Sequence, residues 1–351
     1  VSRIPIKELK DGQFVDLQTF FVSNFKQDVT KNGSAFARFT LADKTGSLQG
    51  VCWDFGKVEQ AMVALLTAGE LMDLSGMVKS YRDNLQFTVS GLAAPSDADP
   101  SHFEKVSEFN PDEMYREFLG FVDSYSNGFF LTLATTICNK YGTLFFSKPA
   151  ATGMHHAFKH GLLEHTLQML QTAEKLFELP FYANNLNKDL CMFGIMFHDY
   201  GKIFEYGDGP GFKKTISGIK VGHIPKMAAI IYHQGTLLGI PDIILDEMMS
   251  IVLTHHGRVA WGSPMMPSSP EAQFVHYIDN LHGTVFGSIQ RIEGDAGSGE
   301  TVRHGLGEDT YTLPKLRFND ILKGLSDGNE NKNDAQNTHG TAGAEAEVDG
   351  F

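Results

Sequence analysis

The sequence predicts a multidomain β + α chain: a five-stranded barrel, then an all-α domain, then a disordered acidic tail. Three observations carry this. Before residue 94 apolar residues come in short alternating runs separated by turn residues. From Pro111 onward they recur at helical spacing. Beyond about Leu325 large apolar residues almost vanish until the terminal Phe351. The expected boundaries are 1–94 for the barrel, 95–110 for a linker, 111–324 for the helical domain and 325–351 for the tail.

Each barrel element has its own signal. Phe14-Val15-Asp16-Leu17 opens a long β segment running towards Val22, and Asn32-Gly33 is a hairpin turn. Ala35 to Leu41 alternates, Asp43-Lys44-Thr45-Gly46 turns the chain, and Leu48 to Trp53 makes the third strand. Val58 to Thr67 has helical spacing. Leu71 to Val78 and Leu85 to Val89 follow, joined by Arg82-Asp83-Asn84. Five short strands with a helix between the third and fourth are the plan of an oligonucleotide-binding (OB) barrel. The linker Ala94-Pro95-Ser96-Asp97-Ala98-Asp99-Pro100 is rich in turn residues. Pro111-Asp112-Glu113 then starts a helix, with proline and acids in its first turn. Helices are expected near 112–125, 128–141, 155–178, 184–203, 222–235, 241–256 and 270–292, with Gly and Pro in the loops between.

Composition narrows the function classes. At 351 residues the chain has room for two or three domains. Its start, VSRIPIKELKDGQF, lacks the apolar run of a secretory signal. No stretch approaches the roughly 18 apolar residues a membrane span needs. Cys52, Cys138 and Cys191 are odd in number, widely spaced and set among apolar neighbours, so reduced core cysteines of a cytoplasmic protein are expected. A net charge of −13 argues against a chain coated in positive charge. It leaves room for a local nucleic-acid path, because part of the acidity sits in the tail.

Histidine is the telling residue: of fourteen, many crowd between His155 and His282. His198-Asp199 ends the apolar run Cys191 to Phe197. A His-Asp dipeptide alone is weak, and a polar helix end would explain it. But adjacent helical residues point about 100° apart and can grip one metal from two sides. Gly201 permits close approach, and the Lys202 ammonium stands where it could meet a phosphate oxygen. His165 lies in an amphipathic helical run, His223 at a helix start, and His255-His256 at a helix end, where the helix dipole alone could favour a cation. Asp279 interrupts an apolar pattern, where a carboxylate is costly unless paired or metal-bound. Each has a bland explanation singly, but a shared cation explains all of them at once. Imidazoles with carboxylates and no thiolate suit Mn²⁺ first, or Fe²⁺, Ni²⁺, Co²⁺, Zn²⁺ or Mg²⁺, rather than Ca²⁺.

The order His … His-Asp … His … His … Asp resembles the HD superfamily of metal phosphohydrolases. More closely, the chain is similar over roughly residues 10 to 290 to the YhaM-type 3′→5′ exoribonucleases, which join an OB domain to an HD domain. The stretches that carry the resemblance are Gly161 to Thr166, Phe197-His198-Asp199-Tyr200-Gly201-Lys202, Gly222-His223-Ile224, Thr254-His255-His256-Gly257 and Phe274 to Asn280. The resemblance implies one metal held by His165, His198, Asp199 and Asp279. It implies a second that shares Asp199 and adds His223 and His255, with His256 as a further ligand or a phosphate contact. Which of His255 and His256 is the ligand stays open. Asp199, Lys202 and His256 are the expected catalytic groups. The glycine-rich stretch Gly207 to Gly211 and the acidic tail fall outside the family pattern.

For nucleic acid, the barrel offers Lys26, Lys31, Phe36, Arg38, Lys44, Trp53, Lys79, Tyr81, Arg82 and Phe87. Cations meet phosphates while aromatic rings stack on bases, each stack worth ~1–3 kcal/mol. Phe36 with Arg38, and Lys79 with Tyr81, share strand parity and make the better surface pairs, whereas Trp53 reads equally as core. The expected function is metal-dependent 3′→5′ hydrolysis of single-stranded RNA, or less readily DNA. The alternatives are a phosphohydrolase of free nucleotides or cyclic dinucleotides, and a binding protein with a silent metal site. The tail tip Glu345 to Phe351 reads as a solubilising end or as a docking point for a protein partner. The helices at 112–141 offer a surface for self-association.

Overall fold

In a computed structural model, the structure describes residues 3–81, 84–95, 99–152, 156–209, 211–293, 301–306, 309–315 and 318–319. Alternating runs before residue 94 become β1 (Phe14–Val29), β2 (Ala35–Asp43), β3 (Gly46–Cys52), α1 (Gln60–Ala68), β4 (Leu71–Tyr81) and β5 (Asn84–Ala93). The strands close into a barrel in the order β1-β2-β3-β5-β4, with β3 and β5 parallel and the other pairs antiparallel. This is the OB plan. Phe20, Phe39, Leu41, Leu66, Met72, Leu74 and Phe87 fill the interior.

Barrel closure needs bent strands, and the sequence supplies the bends. β1 runs on to Val29, seven residues beyond the expected Val22, through two register shifts. Leu17 and Asn24 take positive φ of 39° and 53° at those shifts, which breaks the alternation a straight strand would show. In β4, a Cβ on Gly76 would come within 2.3 Å of the Thr88 carbonyl, so only glycine lets β5 approach there. Asp43 is a buried carboxylate made tolerable by full pairing. It accepts from the Thr45, Gly46 and Ile6 amides at 2.7, 3.1 and 2.9 Å and from Arg3 at 3.0 Å.

The helical region holds α2 (Pro111–Asp123), α3 (Gly128–Ser147), α4 (Gly161–Phe177), α5 (Pro180–Asn185), α6 (Lys188–Phe197), α7 (Lys202–Glu205), α8 (Ile216–Lys220), α9 (His223–Leu237), α10 (Asp242–Thr254) and α11 (Pro270–Glu293). Asn110 caps α2 by accepting from the Asp112 and Glu113 amides. Two expectations are corrected. The helix expected from 155 begins at Gly161, because His160 sits at φ 67°. The single helix expected over 184–203 is broken. Asn187 caps a fresh start at α6, and tight turns carry the chain from His198 to α7. Gly194 lets α6 touch two helices at once: its missing Cβ would stand 2.2 Å from Ile251 and 3.0 Å from Val275.

The helical core packs Phe118, Phe145, Leu163, Phe193, Phe197 and Tyr200. Barrel and helices meet along the glycine-rich stretch. A Cβ on Gly211 would strike the Phe21 ring at 2.2 Å, and Lys213 pairs with Glu70 at 2.5 Å. The three cysteines are free and buried. Among the described residues no helix is long and apolar enough to cross a membrane.

A second unit begins at Ser298. It contains an antiparallel hairpin, β6 (Thr301–Leu306) and β7 (Asp309–Pro314). The hairpin lies beyond the last expected helix, 270–292, in a stretch for which no strand was expected. Val302, Thr310, Tyr311 and Thr312 supply the β-branched and aromatic residues a strand favours. The tail expected to be disordered and Arg82 lie outside the described residues.

Candidate metal centre

Burial of α6 fixes the first two functional side chains. Phe193, Ile195, Met196 and Phe197 are fully enclosed, so the helix cannot turn about its axis. The His198 amide closes the last turn on Gly194 at 2.8 Å. His198 Nδ1 lies 2.7 Å from the Ile195 carbonyl, which leaves Nε2 pointing away. Asp199 follows, and Tyr200 anchors it by stacking on Phe145 with ring centroids 4.4 Å apart. Gly201 then allows the start of α9 to close in. A Cβ at Gly201 would lie 2.2 Å from the His223 carbonyl oxygen.

Four further elements converge on this corner. His223 opens α9 and brings Nε2 to 3.2 Å from Asp199 Oδ1. His255 ends α10 with Nε2 3.6 Å from the same oxygen. His165 on α4 and Asp279 on α11 approach to 3.2 Å, and Asp279 lies 3.8 Å from His198 Nε2. Two groups of ligand atoms, each within 4.8 Å of one another, could each hold a metal ion: His165, His198 and Asp199, and Asp199, His223, His255 and His256. Asp199 belongs to both. All the side chains singled out at 165, 198, 199, 223, 255, 256 and 279 are thus brought to one place.

Hydrogen bonds dress these imidazoles for a cation. Nδ1 of His198, His255 and His256 faces the Ile195, Val252 and Trp261 carbonyls at 2.7, 2.7 and 2.8 Å. Nδ1 of His223 faces Glu205 Oε2 at 2.5 Å. A carbonyl or carboxylate there places the proton on Nδ1 and leaves a lone pair on Nε2. Nε2 of His198, His223 and His255 and Oδ1 of Asp199 are buried without a hydrogen-bond partner among the described residues. Each such atom costs about 1–3 kcal/mol if left so. Lone pairs facing a carboxylate oxygen at 3.2–3.6 Å repel unless a cation stands among them. The residues present therefore fit divalent metal, and the nitrogen-plus-oxygen donor set fits a first-row ion better than Ca²⁺.

Electrostatics keeps both carboxylates ionised and His256 neutral, the states in which they can hold a cation. Burial opposes an ionised Asp199, yet Lys202 and His198 hold its carboxyl well below the usual range. Burial likewise opposes Asp279, and His165 and His198 pull it down. Burial and the neighbouring His255 push His256 down to about 3, so it stands neutral and able to ligate at ordinary pH. Lys202 is more enclosed than its sequence position implied. Its ammonium donates to Asp199 Oδ2 at 2.5 Å and to the Ala150 carbonyl at 2.6 Å. An ammonium has three donors, so one N–H is left beyond these two bonds among the described residues.

Glu205 is the functional residue that sequence reasoning missed. Its Oε2 accepts from the His223 amide at 3.1 Å and from His223 Nδ1, while Oε1 pairs with Lys214 at 2.6 Å. The available signal was a carboxylate inside the apolar run Ile203-Phe204-Glu205-Tyr206.

On the barrel, Phe36 and Trp53 stack with centroids 5.2 Å apart and planes 23° apart, and Trp53 is 51% exposed, so it belongs to the surface. Arg38 lies 5.7 Å over Phe36 and pairs with Asp28 at 3.1 Å. Lys26 is its cross-strand partner in the register. Lys31 and Lys44 are exposed. Lys79 and Tyr81 are exposed at the far end of β4, on different strands from that stack. Phe87 is wholly buried, which corrects its candidacy as a base-stacking ring.

Comparison with known proteins agrees with this division. An HD domain family matches residues 162–284, and an OB-fold nucleic acid binding domain family matches residues 21–93. The 3′-5′ exoribonuclease YhaM of Geobacillus sp. (strain WCH70) is 29% identical over 77% of this chain and 82% of its own. Its namesake from Bacillus pumilus is 29% identical over 77% and 85%, and that from Halalkalibacterium halodurans 29% identical over 75% and 81%. Among solved structures, the second OB-fold domain of replication protein A from Methanococcus maripaludis is 19% identical over 28% of this chain and 99% of its own. Its TM-score of 0.19 is too low to bear on the fold. Both ligand groups are supplied by helices of the segment that matches the HD domain family, and the barrel forms the segment that matches the OB-fold domain family, so the chain carries an HD-type segment behind an OB-type one.

Proposed function

We propose that this protein is a metal-dependent exonuclease that shortens single-stranded nucleic acid from the 3′ end, RNA in preference to DNA. The observation that carries the proposal is the pair of ligand groups meeting at buried Asp199, set in a chain that also presents an OB barrel with an exposed aromatic stack. The relatives named as 3′-5′ exoribonucleases share both parts and support the direction and the substrate. His165, His198, Asp199 and Asp279 would hold one ion. Asp199, His223, His255 and His256 would hold a second, with Mn²⁺ the preferred metal. Divalent ions in such a site lower the pKa of water from ~15.7 to about 7 and polarise phosphoryl oxygens.

The chain's own residues do the rest. Glu205 and the three backbone carbonyls fix which ring nitrogen carries the proton. Lys202 balances the charge of Asp199 and offers its remaining N–H to the phosphate. Phe36 and Trp53 receive bases, while Lys26, Lys31, Arg38, Lys79 and Tyr81 follow the strand. Incubation of the purified protein with Mn²⁺ and end-labelled single-stranded RNA, single-stranded DNA and duplex tests the reading. A ladder that shortens from the 3′ end of the RNA is expected. Phosphate release from mononucleotides alone, or retention of the strand without cleavage, refutes it.

A further inference from the structure

Lys148 lies just after α3 with its side chain 5% exposed, and its one ion-pair partner among the described residues is Asp208, 87% exposed, at 2.6 Å. The two ends of this pair differ sharply in what they need. A buried ammonium must keep an anion beside it, because an uncompensated buried charge is strongly destabilising. An exposed carboxylate released to water loses little, since exposed ion pairs are worth little to begin with. Any anion delivered to Lys148 can therefore replace Asp208 at small cost.

The position of the pair says which anion arrives. Lys148 is two residues from Ala150, whose carbonyl holds Lys202, which in turn holds Asp199. Two residues span at most ~7 Å. The Lys148 carbonyl also accepts from Leu162, one turn ahead of His165 on α4. Asp208 is three residues beyond Glu205, which holds His223. It lies in the glycine-rich stretch that the family pattern leaves unexplained. That stretch leads from α7 to the barrel, where Gly211 abuts Phe21 and Lys213 pairs with Glu70. The backbone carrying Lys148 and Asp208 thus adjoins residues that position the metal centre, and Asp208 stands at the start of the connection to the OB domain.

We infer that Lys148 is a backbone-phosphate contact for the strand entering the site, and that Asp208 holds its place until a phosphodiester displaces it. The inference rests on the nuclease reading above and adds a binding residue with a built-in competitor. Asp208 raises the threshold for weakly bound anions and keeps the buried lysine paired between substrates.

The test is equilibrium binding of a 5′-fluorescein-labelled oligouridylate by fluorescence anisotropy, in chelator so that it stays intact. Asp208→Asn should bind about two- to fivefold more tightly than the native chain, the range an exposed ion pair commands. Lys148→Gln should bind more weakly, with a salt slope shallower by ~0.7, one phosphate contact's share on a single strand. In the Lys148→Gln background, Asp208→Asn should give no gain. An equal gain in both backgrounds would mean general charge repulsion and overturn the inference. So would unchanged or weaker binding by Asp208→Asn accompanied by a lower melting temperature, which marks a purely structural pair. If Lys148→Gln fails to fold, Asp208→Asn is compared with Asp246→Asn, which removes an exposed acid elsewhere on the helical region; a gain confined to Asp208→Asn supports displacement, and an equal gain from both means general charge repulsion and overturns it. Cleavage of the same oligonucleotide by the native chain in Mn²⁺ is scored separately. Binding without cleavage sinks the nuclease reading, so the two failures are distinguishable.

Discussion

Glu205→Gln changes one oxygen to an NH₂ and almost no volume, and it should loosen one metal group while sparing the other. Glu205 receives donors at both oxygens, two from His223 and one from Lys214. A glutamine has only one acceptor oxygen. Whichever way its amide faces, an NH₂ meets a donor, either the His223 ring and amide or the Lys214 ammonium. At least one hydrogen bond to a charged group is lost, worth about 1.5–3 kcal/mol. Without the carboxylate, His223 also gains freedom to carry its proton on Nε2, where it cannot ligate. Loss of such a supporting partner typically lowers metal affinity or activity about 10–100-fold. That range is about 1.4–2.8 kcal/mol, in line with the lost bond. The group of His165, His198 and Asp279 does not touch Glu205 and should keep its affinity. Titration with Mn²⁺ by calorimetry should therefore show one weakened class of site and one unchanged, with activity recovered at high Mn²⁺. Native metal affinity and native activity in Glu205→Gln would refute the argument that this carboxylate sets the His223 tautomer.

Three further outcomes follow from the same geometry. Asp199→Asn should abolish metal-dependent hydrolysis, because both groups share this residue; it should also lower the melting temperature, since buried Lys202 loses its counter-charge. Normal turnover by that variant would end the metal-centre assignment. Gly201→Ala has an allowed backbone, at φ −62°, but its Cβ would lie 2.2 Å from the His223 carbonyl. A loss of about 1–3 kcal/mol in a denaturant titration is expected, with weaker Mn²⁺ binding at the His223 group; unaltered stability would show that α9 can shift freely. Trp53→Ala should weaken oligoribonucleotide binding by ~1–3 kcal/mol and leave hydrolysis of bis(p-nitrophenyl) phosphate unchanged, because the stack lies on the barrel and not at the metal centre. Equal loss on both substrates would contradict a role confined to the strand.

Much of the architecture was legible because it rests on short-range patterns. Five alternating runs and one helix become a closed barrel, and spacing of apolar residues from Pro111 becomes a helical core. The failures share a physical cause: they lie where a single residue breaks a period. Leu17 and Asn24 bulge β1, so its second half alternates out of phase with its first. His160 takes a left-handed backbone without being glycine, and nothing in its side chain announces this. The 301–314 hairpin lies in glycine- and charge-rich sequence, where its β-branched residues are too sparse to outweigh their surroundings.

The metal centre shows the same division between what a residue type reveals and what only packing can. The His and Asp side chains were visible because strong ligands inside apolar runs need a common explanation, and the helices do carry them to one corner. Their tuning was invisible, since it comes mainly from main-chain carbonyls, which every residue has. Ile195, Val252 and Trp261 contribute only a carbonyl oxygen, yet each determines which nitrogen of a histidine is offered. These carbonyls lie three residues before His198, three before His255 and five after His256. Helix-end geometry at α6 and α10 supplies the first two whatever side chains stand there. Substitutions at Ile195 or Val252 that preserve packing should therefore leave the ligands' protonation intact, whereas Glu205, the one side chain among these four partners, is the place where a single substitution can retune the centre without disturbing the fold.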